Sequence, residues 1–161
     1  MTKPSDQNVT PKRNSKMIGW IVSGIVLVIF AVIALRIDDW GRDWTQNTAS
    51  LSEDASRAGL RPLHLDDTPQ AVADRLRRWT KSQSKWDWVS SESQELSAQL
   101  IQLTRTTPLF RFVDDVQVTI APDIATGGTV VQATSRSRIG KGDLGQNPRN
   151  LIELTTALSD R

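Results

Sequence analysis

Hydrophobic positions in this chain form one unbroken run near the start and a series of short alternations after it. Met17 to Leu35 (MIGWIVSGIVLVIFAVIAL) is nineteen residues without a charge, and Ser23 is its one clearly polar side chain. At 1.5 Å per residue a helix of that length covers about 28 Å, the hydrocarbon thickness of a bilayer. Lipid offers the backbone no other hydrogen-bond partner, so the run predicts a single helix.

The downstream pattern is that of a small mixed domain. Residues 1–16 are polar with two prolines and predict a disordered tail, 17–37 a transmembrane signal anchor, and 38–59 a linker with a short helix around Leu51 to Ala58. An ordered domain is expected over 60–161. Thr68 followed by Pro69 reads as a capping hydroxyl and first-turn proline, and Val72, Leu76 and Trp79 recur at helical spacing over 69–81. Four strands are expected next. Trp86 to Ser91 alternates, and Leu96 to Leu103 alternates with a shift of phase at Ile101 that suggests a bulge. Leu109 to Ala121 is the longest, and Thr129 to Ile139 the last. Asn147 and Pro148 open a closing helix with Leu151, Leu154 or Thr155, and Leu158 inward. Helix, four closely connected strands and helix predict an α+β domain: a roughly four-stranded antiparallel sheet with two packed helices.

Charge orients the apolar run. Lys3, Lys12, Arg13 and Lys16 precede it against the single acid Asp6, whereas Arg36 and Arg42 beyond it are mixed with Asp38, Asp39 and Asp43. Lysine and arginine excess marks the cytoplasmic side, so the N-terminus is expected inside and the domain outside, in the periplasm of a Gram-negative cell. Trp20, Trp40 and Trp44 suit the two interfaces. The run is longer than a secretory h-region and lacks a clean A-x-A site, which favours an uncleaved anchor over a cleaved signal peptide. No cysteine is present, which excludes a lipidated cysteine and a disulfide framework. The net charge is +2, and from Arg61 to Arg161 thirteen basic residues balance twelve acidic ones. That balance leaves no nucleic-acid footprint.

The candidate chemistry is a charged cluster on the last two strands. In LFRFVDDVQVTI the alternation sets Phe110, Phe112, Val116, Val118 and Ile120 on one face, with Asp114 in the same register. An acid on an apolar face requires pairing or hydrogen bonding. Asp115 falls on the other face, where Arg136 or Arg138 of a hairpin partner can meet it across the ladder. Asp114 is then left near Ser135 or Ser137. The cluster is read either as a structural network or as a ligand site. Gly140, Gly142 and Gly145 match G-x-G-x-x-G, but the chain ends sixteen residues later without the second strand that a dinucleotide fold needs. These glycines read instead as a tight strand-to-helix turn, with Lys141 and Asp143 exposed and the helix amides, with Arg149 or Lys141, open to a small anion. His64 is the single histidine and reads as a solvated loop residue. No serine has a histidine partner, Asp114, Asp115 and Asp143 lack calcium-loop spacing, and no metal or cofactor is expected.

FRFVDDV from Phe110 and SRSRIGKGDLGQN from Ser135 resemble a bacterial and plant family known as domain of unknown function 1499, over about residues 60–158. The resemblance implies matching roles for Asp114 with Asp115, Ser135 with Arg136, and Asp143, Leu144, Gly145 and Asn147. Relatives carry a Cys-Val-Ser-Ser element before the first helix, where this chain reads GLRPL from Gly59. No activity is implied. The functional expectation is a membrane-anchored, non-catalytic binding module of the cell envelope, whose partner is an envelope protein, polymer or lipid. Its alternatives are an envelope hydrolase using Asp114 with Arg136 and Lys141 on an anionic substrate, and a carrier of an apolar ligand.

Overall fold

In the computed structural model the described residues are 15–36, 41, 45–108 and 110–160, without the side chains of Ser15, Lys16, Ile33 and Arg36. Residues 1–14 of the tail expected over 1–16, the aspartates 38, 39 and 43, and Trp40 and Trp44 lie outside them, whereas residues 15 and 16 of that tail are helical. The chain divides into two units, one through Arg36 and one from Ile37.

The first unit contains α1, Ser15–Arg36, twenty-two residues whose described side chains are exposed, among them Trp20, Leu27 and Phe30. Among the described residues no helix is long and apolar enough to cross a membrane.

The second unit is an antiparallel sheet covered on one face by two helices. Its strands are β1 (Thr48–Ser50), β2 (Leu63–Leu65), β3 (Trp86–Ser93), β4 (Gln99–Thr106), β5 (Val113–Pro122) and β6 (Thr129–Ser137). The order is β1-β6-β5-β4-β3, with β2 also on β6. The sheet therefore has six strands where alternation predicts four. β1 and β2 lie end to end along one edge of β6, Thr48 to Ser50 against Arg136 to Thr134 and Leu63 to Leu65 against Val131 to Thr129. They behave as one edge strand interrupted by residues 52–62. Three residues are too few to show a period of two, which is why both escaped the pattern. The expected helix over Leu51 to Ala58 is replaced by β1, Leu51 bonded to Ala133 O, and a 3-10 turn at Ala58–Leu60. The sheet thus starts ahead of Leu60.

The helices are α2, Pro69–Ser82, and α3, Gln146–Ser159. Thr68 caps α2 as expected, its hydroxyl accepting from Ala71 N, with Pro69 in the first turn. Val72, Leu76, Leu151, Leu154 and Leu158 meet Ile101, Leu103, Val116, Val118, Ile120 and Val131 in the core. Burying each such side chain stabilises the fold by about 1.5–3 kcal/mol. Trp86 belongs to this core and packs on Trp79 with ring centroids 5.0 Å apart.

Two strands are shifted from their predicted limits. Leu96 sits in the β3–β4 turn with φ 58° and is exposed, so β4 starts only at Gln99, and the bulge lies in β3 after Trp88. β5 starts at Val113, so Phe110 and Phe112 do not lie on its apolar face. Arg111 has φ 52°, and Thr107 closes the turn by donating from its amide to Phe112 O and accepting at its hydroxyl from Phe112 N. A tight approach fixes the other end of the sheet: a Cβ on Gly128 would run into the backbone oxygen of Leu65.

Candidate functional site

The candidate residues occupy two opposite faces of one sheet. On the face under α3, β5 and β6 place Asp114 beside Ser137 in register, with Ser135 two residues back. Asp114 is 1% exposed. Ser137 Oγ donates to its Oδ1 at 2.7 Å, and Asn150 Nδ2 donates to its Oδ2 at 2.9 Å. Asn150 Nδ2 also reaches Ser135 Oγ at 3.0 Å, and Ser135 Oγ donates to Asn147 Oδ1 at 2.7 Å. Asn147 Nδ2 closes the circuit onto Ser137 Oγ and onto the backbone oxygen of Asn47. Five buried polar side chains thus satisfy one another, which is the condition under which a polar core is tolerated. No cation pairs with Asp114 among the described residues. Its neighbour across the ladder, Arg105, turns to Glu153, with Nε 3.3 Å from Oε2, while Trp86 Nε1 donates to Oε1 at 3.1 Å. Arg105 Nη1 is the one buried side-chain polar atom without a partner among the described residues.

The turn into α3 is structural as well. Gly140 and Gly145 take φ of 96° and 74°, the left-handed conformation expected of the glycines. Leu144 at 51° joins them, whereas Gly142 does not adopt a positive φ. Asp143 is not a free charge. Its Oδ1 accepts from Gly145 N and its Oδ2 from Asn147 N, so it caps the helix and occupies the amide that a small anion would need. Lys141 remains exposed.

The opposite face of the sheet is open. Arg138 grips Asp115 there in a forked pair, Nε to Oδ2 at 2.9 Å and Nη2 to Oδ1 at 2.6 Å. Arg138 rather than Arg136 is therefore the partner. Arg136 stands opposite both Asp115 and Thr48 in the ladder. A shallow open depression of about 490 Å³ is lined by Thr48, Gln102, Asp115, Gln117, Thr134 and Arg136. Cross-strand pairing aligns Ser90, Gln102, Gln117, Thr134 and Ser50 in one polar row. Ser50 and Thr134 hydroxyls lie 2.9 Å apart.

Strand alternation thus separates residues that the sequence groups together. Asp114, Ser135 and Asn147 meet under α3, whereas Asp115, Arg136 and Arg138 lie on the open face. Asp114 and Arg136 do not converge on a common substrate position. Among the described residues no group of three acids, histidines or cysteines is placed to hold a metal. Asn150 and Asn47 were missed. Asn147 and Asn150 extend the inward stripe of Leu151, Leu154 and Leu158 by one turn, and this was the legible signal for Asn150. Asn47 supplies a backbone oxygen, which no pattern encodes. His64 belongs to β2 rather than a loop. It is exposed, with Nδ1 2.9 Å from Asp123 Oδ2 and Nε2 3.5 Å from Glu53. Hydrogen bonds to Asp123 and then Glu53 raise its pKa, and the bond to His64 lowers Asp123 to about 2.

The profile of the family described as "Protein of unknown function (DUF1499)" matches residues 42–158, most of the chain, and the chain belongs to that family. No curated protein matches it.

Proposed function

We propose that this member of the DUF1499 family is a membrane-tethered, extracytoplasmic binding module of the cell envelope without a catalytic centre of its own. The observation that carries the reading is the condition of Asp114, the best acid–base candidate in the sequence. A side chain 1% exposed, with both oxygens held by Ser137 and Asn150, has no side left for a substrate. A general acid or base must reach the proton that it moves. The network instead fastens α3 to β5 and β6. The open sheet face supports the binding role, because it offers hydroxyl, amide and charged groups in registered rows on a stiff support.

The tether rests on the nineteen uncharged residues from Met17 to Leu35, the basic excess before them, and the exposed apolar side chains along α1. A reporter active only outside the cytoplasm, fused after Arg161, tests it. The reading expects activity from that fusion and none from a cytoplasm-only reporter at the same site. The reverse pattern refutes the orientation, and a mature N-terminus near Ile37 refutes the anchor.

A further inference from the structure

Two loops meet at one end of the sheet, 107–112 before β5 and 138–145 after β6. The Arg138 amide donates to Val113 O at 3.2 Å and holds them side by side. Four large apolar side chains project there into solvent. Phe110 is 68% and Ile139 67% exposed, and Phe112 and Leu144 are exposed as well. Phe110 and Phe112 stack with centroids 5.5 Å apart. Isolated exposed apolar residues need no explanation, but four on two adjoining tips do.

Among the described residues the unpaired charges of the two loops and of the adjoining Lys85 have one sign. Arg111, Lys141 and Lys85 are exposed, and Lys85 belongs to this end because its carbonyl accepts from Thr106 N. None of the three is in an ion pair among the described residues. The single acid of the two loops, Asp143, is turned into the helix amides. The far end is acidic by contrast, with Glu92, Glu95 and Asp123 around the other turns.

The chain also joins the domain here. Asn47 O accepts from Ser137 N, and Asn47 Nδ2 donates to Gly140 O at 2.9 Å. Ten residues, 37–46, separate it from the end of α1, and a segment of that length reaches at most about 35 Å. We propose that the tips Phe110, Phe112, Ile139 and Leu144 dock into the bilayer interface, with Arg111, Lys141 and Lys85 toward lipid phosphates. The inference rests on the tether reading. Aromatic and aliphatic tips ringed by cations fit the boundary between headgroups and acyl chains. Docking would leave the open polar sheet face standing clear of the membrane.

The absence of cysteine makes the test direct. Phe110→Cys, Ile139→Cys and, from the far turn, Ile124→Cys each give the full chain one spin-label site. The labelled chains are placed in vesicles of phosphatidylcholine with one quarter phosphatidylglycerol. Collisions with oxygen and with a water-soluble nickel chelate are then compared. All three positions are exposed, and melting of each labelled chain verifies the fold. Docking expects an oxygen-to-nickel ratio several-fold higher at 110 and 139 than at 124. Equal ratios, with the chain retained through an alkaline carbonate wash, overturn docking and leave the tether standing. Shielding of 110 and 139 from both reagents means that a protein surface covers them, which also overturns it. Loss of the chain in the wash overturns the tether and the docking together.

Discussion

Replacing Asp114 by alanine removes the acceptor for two buried donors, the Ser137 hydroxyl and one Asn150 N–H. A buried donor left without a partner costs about 1–3 kcal/mol. The donors have little to turn to. Ser135 Oγ already receives the other bond from Asn150, and Ser137 Oγ itself accepts from Asn147, so that amide cannot take its proton. A loss of about 2–6 kcal/mol follows, or roughly 8–24 °C in melting temperature for a domain of this size. Asp114→Asn keeps one acceptor oxygen and should fall between. Asp115→Ala is the control. It breaks an equally well-formed contact, but with side chains 47% and 54% exposed the pair is screened by solvent and its loss should leave the melting point near the parent's. Near-ultraviolet circular dichroism of the full chain in mild detergent follows the transition through the tryptophans packed at the core. A parent-like or raised melting point for Asp114→Ala would refute the structural account and return Asp114 to the status of a strained functional acid.

Two further expectations follow from the same geometry. His64 has a raised pKa and Asp123 a lowered one, so their contact stabilises fully below about 6.5 and above about 3.8, fading as pH rises through the histidine's folded value or falls toward about 2. The melting difference between parent and His64→Gln should therefore be larger at pH 5.5 than at pH 8.5 and shrink with salt; a difference constant across that range would contradict it. A fragment starting at Thr45 should melt cooperatively, whereas one starting at Leu60 should melt much lower or aggregate, because it loses buried Leu51 and bares half of the β6 edge; equal melting of the two would show that β1 contributes nothing.

Much of the domain was legible because its core obeys two simple periods. The stripe Val72, Leu76 and the stripe Leu151, Leu154, Leu158 announced both helices, and Thr68 with Pro69 fixed where one begins. Val116, Val118 and Ile120 likewise announced the central strand. Phe110 and Phe112 continued that alternation by coincidence, since the chain turns at Arg111 before the strand starts. Local alternation cannot register a residue of positive φ that is not glycine. β1 and β2 were invisible because three residues held by a long-range partner carry no period of their own. At the site, the acid in an apolar register called for buried partners, and Ser137 and Asn150 supply them. Its other members needed the crossing of α3 over the sheet, which is tertiary information. The same alternation that buries Asp114 puts Asp115 and Arg138 on the open face. The motif that looks like one cluster in sequence is therefore two.

That division gives the buried network a role beyond stability. An all-apolar core under α3 would hold the helix, but hydrophobic contact is non-directional and would leave its rotation and the loop before it weakly specified. Asn147 and Asn150 fix the rotation by bonding to Ser135, Ser137 and Asp114. Asp143 and Asn47 carry that constraint into the loop through Asn147 N and Gly140 O. The loop so fixed bears Ile139, Lys141 and Leu144. The costliest residues to bury therefore sit where backbone placement matters most, at the end of the sheet where the chain arrives from α1. The other end of the core, around Ile120 and Val131, is aliphatic apart from the buried Thr129 hydroxyl, which donates to Asp67 O and places no helix.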